Sequence, residues 1–136
     1  MAGYSGTPLP RKLGIKEGHR VAFPGAPPEF SQVLGALPNG VYIKKRATRP
    51  LDVVVAFFTR RAELERRFGR LVAAIFPDGA LWVAWPKRAA KLQTDLTEDV
   101  AREIGLASGL VDNKVCAIDE TWSGLRLVWR VENRAR

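Results

Sequence analysis

Of 136 residues only one is cysteine, Cys116, and only one is histidine, His19. A lone thiol excludes an internal disulfide and points to a reducing, cytoplasmic compartment. One thiol and one imidazole cannot complete a zinc cage, so no metal is expected. They also leave too little for a nucleophile–histidine pair, because His19 precedes the first expected strand and lies away from any site at the strands' far ends. Cys116 stands in Val115-Cys116-Ala117-Ile118, where a small buried hydrophobe is the expected role. Long apolar runs are missing as well. Val53 to Phe58 is among the longest, far short of a bilayer span, and the opening Met1-Ala2-Gly3-Tyr4-Ser5-Gly6 has no signal-peptide character, so no membrane contact is expected.

Acidic residues are outnumbered. The 14 Asp and Glu against 22 Lys and Arg give a formal charge of +8, compatible with a polyanion partner but equally with solvated arginines on helices. Part of the excess sits at the ends, in Arg11, Lys12 and Lys16 and in Arg130, Arg134 and Arg136. Apolar residues make up 46% of the chain, enough for one domain to bury a real core.

The pattern is organised around Leu51 to Trp85. Leu51 to Phe58 and Ala80 to Trp85 are near-continuous apolar runs, as strands covered on both faces require. Between them Leu64, Phe68, Leu71 and Ile75 repeat at helical spacing, leaving Arg61, Glu65, Arg66 and Arg70 to solvent. Strand, helix and parallel strand is the economical reading, with Thr59 as the helix N-cap and Pro77-Asp78-Gly79 as its stop.

Upstream, residues 1–18 read as an extended lead-in with one short turn, and residues 19–136 as a single domain. His19 to Phe23 is a first strand broken by Pro24-Gly25-Ala26-Pro27-Pro28, followed by a short helix over Glu29 to Leu37. Val41 to Arg46 is a half-exposed edge strand. Downstream, Asp95-Leu96-Thr97-Glu98 has the form of a capping box opening a helix through Val100, Ala101 and Ile104. Lys114 to Ile118 and Leu125 to Val131 close the chain as an antiparallel pair.

This order resembles the class I methyltransferase form of the Rossmann fold, on the helix, turn and strand of Ala73-Ala74-Ile75-Phe76-Pro77-Asp78-Gly79-Ala80-Leu81-Trp82-Val83 and on the closing reversed strand. The resemblance implies an α/β single domain with a mostly parallel sheet, a C-terminal antiparallel hairpin and helices on both faces. Lys12-Leu13-Gly14-Ile15, Trp85-Pro86-Lys87, Thr94 to Asp99 and Asp112 to Leu125 are similar to a family of short bacterial proteins known as a domain of unknown function.

A nucleoside cofactor in such a fold needs a glycine-rich first turn and an acid closing the second strand. This chain has Gly25 between prolines, and Lys44-Lys45-Arg46 in place of the acid. No cofactor is therefore expected, S-adenosylmethionine included. Ligands of open α/β sheets sit beyond the strands' carboxyl ends. There the topology gathers Gly25, Trp85, Lys87, Asp95, Asp119, Glu120 and Trp122 as candidate ligand-binding residues, with Arg88 and Thr94 nearby and no catalytic residue assigned. The same residues could instead form a clasp, with Trp85, Trp122 and Pro86 packed together and Lys87 paired to Asp119 or Glu120. The expected role is binding of a small anionic ligand or a protein partner at that edge. Two alternatives stay open: a reduced S-adenosylmethionine-dependent methyltransferase, and an accessory nucleic-acid binder using Lys44, Lys45 and Arg46.

Overall fold

A computed structural model describes residues 6–134. Met1 to Ser5 of the expected lead-in, and Arg136 of the basic tail, lie outside the described residues. The chain forms a six-stranded sheet in the order β2-β1-β3-β4-β6-β5. Its strands are β1 (Arg20–Ala22), β2 (Tyr42–Ile43), β3 (Val53–Phe57), β4 (Ala80–Pro86), β5 (Leu110–Ala117) and β6 (Trp122–Trp129). Pairings of β1 with β2, β1 with β3 and β3 with β4 are parallel, while β6 runs antiparallel to both β4 and β5. This is the mostly parallel α/β sheet with a C-terminal antiparallel hairpin and a reversed final strand that the sequence implied.

Burial explains the centre. Every residue of β3 and of β4 is buried, because apolar layers cover the sheet on both faces. One layer contains α3 (Arg61–Ala74), through Leu64, Phe68, Leu71 and Val72, and α4 (Glu98–Ala107), through Ala101 with Val100 and Ile104 beside it. The other contains α1 (Leu9–Leu13) and α2 (Phe30–Leu34), through Leu9, Leu13, Phe30 and Leu34 around Trp82. Thus α1 is part of the packed core, its Leu13 fully buried, and Gly14 ends it in the left-handed conformation. Among the described residues no helix is long and apolar enough to cross a membrane.

Several elements differ from the sequence reading. The second strand shrinks to Tyr42–Ile43 because the chain folds back after it: Lys44 Nζ donates to the carbonyls of Thr48 (2.7 Å) and Arg49 (3.4 Å), and Thr48 N–H donates to Arg46 (2.9 Å). That strap then crosses to β3, with Ala47 and Leu51 packed in the α3 layer. The expected Asp95–Glu98 capping box is not formed. Thr97 is the N-cap of α4 and its hydroxyl accepts from Val100 N–H at 3.2 Å. Asp95 instead serves another helix, accepting the first N–H of α3, from Arg61, at 2.7 Å; Arg60, not Thr59, is the N-cap residue there. The final pair is longer than expected, and Trp122 opens β6 rather than lying in a turn.

Candidate functional site

The carboxyl edge of the sheet is built from four segments: the turn after β1, the end of β3, the exit from β4, and the β5–β6 hairpin. The first turn is tight, with Ala26 N–H donating to Phe23 at 3.2 Å, and Gly25 within it has φ +72°. Only glycine takes this conformation without strain, and here it also makes close backbone contact: a Cβ on Gly25 would lie 2.7 Å from the Phe57 carbonyl oxygen. Phe57 N–H donates to Pro24 at 2.9 Å, so the turn after β1 docks on the end of β3. Beneath it runs an edge-to-face aromatic series, Phe23–Phe30 at 5.2 Å, Phe30–Phe57 at 4.9 Å and Phe57–Trp122 at 5.1 Å between ring centroids. These rings fill one side of the edge.

The sheet divides the candidate tryptophans. In the β4–β6 register Trp85 faces Ser123 and Pro86 faces Trp122. That offset of one residue puts Trp85 in the α3 layer and Trp122 in the α2 layer, so the two neither wall a common pocket nor touch as a clasp. Asp119 and Trp122 do come together. The Asp119 carboxylate, 9% exposed, accepts from Thr121 N–H and Trp122 N–H, each at 2.8 Å, in an Asx-type turn that fixes the hairpin. Lys87 joins through its backbone, its N–H donating to Thr121 at 2.7 Å; among the described residues its ammonium has no ion pair with Asp119 or Glu120. Glu120 is exposed. Replacing Asp119 by Ala leaves two N–H groups without an acceptor, one of them buried, and should lower stability by about 2–3 kcal/mol in urea unfolding. Asp119→Asn keeps one acceptor oxygen and should recover most of that loss.

Two pockets open at this edge. One, of about 510 Å³, lies beyond β3 between Thr59, Arg60, Ala62 and Gln93, Thr94, Asp95. The Thr94 hydroxyl donates to Thr59 O at 2.6 Å, and the Asp95 carboxylate that lines the pocket also caps α3. The other, of about 520 Å³, lies between Pro24-Gly25, the strap over Lys45 to Thr48, and Arg67, Arg70 and Leu71 of α3. Sequence reasoning missed Arg67 and Arg70 as site residues. The available signal was the density of arginine at 66, 67 and 70, of which, among the described residues, only Arg66 pairs with an acid, Glu63 at 2.6 Å.

Cys116, half-buried on the α1 side of β5, has its thiol pushed up chiefly by burial, with Lys12 and Lys114 acting in the opposite sense, as expected for a packing residue. Arg102 pairs with Asp112 at 2.9 Å and with Glu98, and its hydrogen bond is the main reason the Asp112 carboxyl sits below its usual range.

No family model matches the chain, and no curated protein does. Several solved structures of similar fold are methyltransferases. An S-adenosylmethionine-dependent methyltransferase from Aquifex aeolicus superimposes with TM-score 0.52 at 16% identity, over 86% of this chain and 85% of that one. Magnesium protoporphyrin IX methyltransferase from Synechocystis PCC 6803 with bound S-adenosylmethionine gives TM-score 0.61 at 13% identity, over 90% of this chain and 74% of its own. The same enzyme with bound S-adenosylhomocysteine gives 0.51 at 14%, over 73% and 55%. At such identities the likeness is one of fold. It nevertheless overturns the expectation that no cofactor, and specifically no S-adenosylmethionine, belongs to this chain: proteins of this architecture are solved holding that compound and its product. The architecture itself is settled by these observations: this chain has the mixed α/β, methyltransferase-like Rossmann fold.

Proposed function

We propose that this chain is a reduced methyltransferase-type protein that receives S-adenosylmethionine, or its demethylated product, over the turn at Gly25 between the carboxyl ends of β1 and β3. The observation that carries the reading is the sheet order, with a left-handed glycine in the turn after the first strand of a parallel β2-β1-β3-β4 set. The fit to such a ligand is partial. Gly25 lets the turn after β1 dock on β3, because any side chain there would run into Phe57 O, and it leaves the turn without a side chain of its own at the strands' carboxyl ends. The end of β2 does not offer the carboxylate that ordinarily holds ribose hydroxyls, and presents Lys44, Lys45 and Arg46 instead. When bound, S-adenosylmethionine supplies a methyl group on sulfur; the chain's own contribution is to bind and orient, and no transfer step is assigned to a residue.

A thermal-shift series with S-adenosylmethionine and S-adenosylhomocysteine tests this. A ligand at about a hundredfold excess over its Kd adds roughly 2.7 kcal/mol of stability, a rise of about 10 °C for a domain of this size. No shift with either compound at millimolar concentration would remove the proposal. A second reading, a binder of small anions without chemistry, is favoured by one observation, the cations around the strap pocket.

A further inference from the structure

The pocket between the strap and α3 is lined by cations from both elements, and Glu63, the acid of α3 that lies beside its arginines, pairs with Arg66 at 2.6 Å. Its lining includes Lys45, Arg46, Arg67 and Arg70 and no acidic residue. All four side chains are exposed, and among the described residues none has an ion-pair partner. Arg66, Arg67 and Arg70 fall within one helical turn, where like charges three and four residues apart repel. An anion between the two elements would offset that repulsion.

The strap is also pre-shaped. Lys44 spends its ammonium on the carbonyls of Thr48 and Arg49, 2.7 and 3.4 Å away, which closes the loop on itself and leaves Lys45 and Arg46 outside it. Ala47 anchors the loop against the α3 layer. Cations therefore approach from two fixed elements rather than from one flexible tail. Between them the floor is Pro24, Gly25, Ala47 and Leu71, small or apolar surface suited to a ring or a sugar.

Position narrows the ligand class. In doubly wound sheets the residue closing the second strand reads the ribose: an acid takes free hydroxyls, a base takes a phosphate in their place. Guanidinium groups add bidentate recognition of phosphate oxygens. We infer that this pocket binds a small phosphorylated ligand of the nucleotide class, its phosphate held by Lys45, Arg46, Arg67 and Arg70. At about 520 Å³ the pocket has the dimensions of a small-molecule site, and a concave pocket is less suited to the extended backbone of a nucleic acid. The inference stands on the cations of the strap pocket; the pocket shares Gly25 with the S-adenosyl site proposed above but does not need an S-adenosyl ligand there.

The test is calorimetric titration of the full chain with adenosine 2′-monophosphate, inorganic pyrophosphate and adenosine, repeated on Arg67→Glu/Arg70→Glu. Both residues are exposed, and an unchanged circular dichroism spectrum checks that the variant folds. Expected are binding of both phosphorylated probes, none of adenosine, and a loss of affinity of roughly tenfold or more in the variant. Any S-adenosylhomocysteine shift seen in the wild type should persist in the variant, because Arg67 and Arg70 of α3 hold the phosphate and are not part of the S-adenosyl site between β1 and β3; this separates failure of the phosphate site from failure of that reading. Absence of binding by both phosphorylated probes at millimolar concentration overturns the inference. So does retention of full affinity in the variant. Binding of a single-stranded oligonucleotide that pyrophosphate cannot displace also overturns it, in favour of a nucleic-acid surface.

Discussion

Replacing Trp82 by Ala should lower the stability of the fold by about 4–6 kcal/mol, the sum of a large-to-small core substitution and a stranded carbonyl. Trp82 is fully buried at the middle of β4, between Val55 of β3 and Arg126 of β6 in the sheet register. Its indole N–H donates to Leu13 O at 3.0 Å, which ties α1 to the sheet across 69 residues of sequence. The site cannot collapse readily. Gly124 already lies against the ring, since a Cβ there would be 3.1 Å from the indole, and Ile118 closes the same side. A native domain has only about 5–15 kcal/mol in hand, so the Ala variant should lose a large share of its stability and unfold at a much lower denaturant midpoint. Trp82→Phe keeps most of the ring and loses the N–H; it should cost roughly 2 kcal/mol, mainly through the unpaired Leu13 carbonyl. Chemical denaturation with m held constant across the three proteins checks both values, and a Phe variant as unstable as the Ala variant would refute this division of the effect.

Gly25→Ala is the second large effect, and it joins stability to the ligand edge. The new methyl meets two penalties: a left-handed φ of +72° and a carbonyl oxygen 2.7 Å away. Together they should cost about 2–4 kcal/mol. Gly18→Ala is the matched control, because Gly18 has φ +75° and nothing within 4 Å of its would-be Cβ. That variant should lose only about 1 kcal/mol, the backbone cost alone. The excess at Gly25 measures the contact with Phe57. Relief of that clash should pull the turn after β1 off β3, breaking the Phe57 N–H to Pro24 bond, and weaken any ligand seated there. Equal losses at the two glycines would mean that the turn is not docked.

Much of the centre was legible because its cause is local. Continuous apolar runs at Val53–Phe57 and Ala80–Pro86 are buried on both faces, and Leu64, Phe68 and Leu71 form the inner stripe of α3. Their periodicity follows directly from what covers them. The features that were not legible depend on register or on distant partners. Trp85 and Trp122 lie near each other at the same edge, yet a one-residue offset in the β4–β6 pairing sends them to opposite layers, and no sequence pattern reports that offset. Asp95 looked like a cap for the helix beginning three residues later, but it caps α3, 34 residues upstream. Lys44 looked like the exposed end of a strand, whereas its ammonium shapes the strap that ends the strand early. That strap brings Lys45 and Arg46 to Arg67 and Arg70, so the cationic pocket is a product of tertiary structure.

The most direct measurement of the central proposal is an amide chemical-shift titration of the uniformly nitrogen-15-labelled chain with S-adenosylhomocysteine. An S-adenosyl ligand over the first turn predicts saturable shifts concentrated in Phe23 to Ala26 and in Phe57 to Arg60, with β5 and α1 unaffected. Saturation with no movement at Gly25 and Phe57, or no movement anywhere at millimolar ligand, would contradict it.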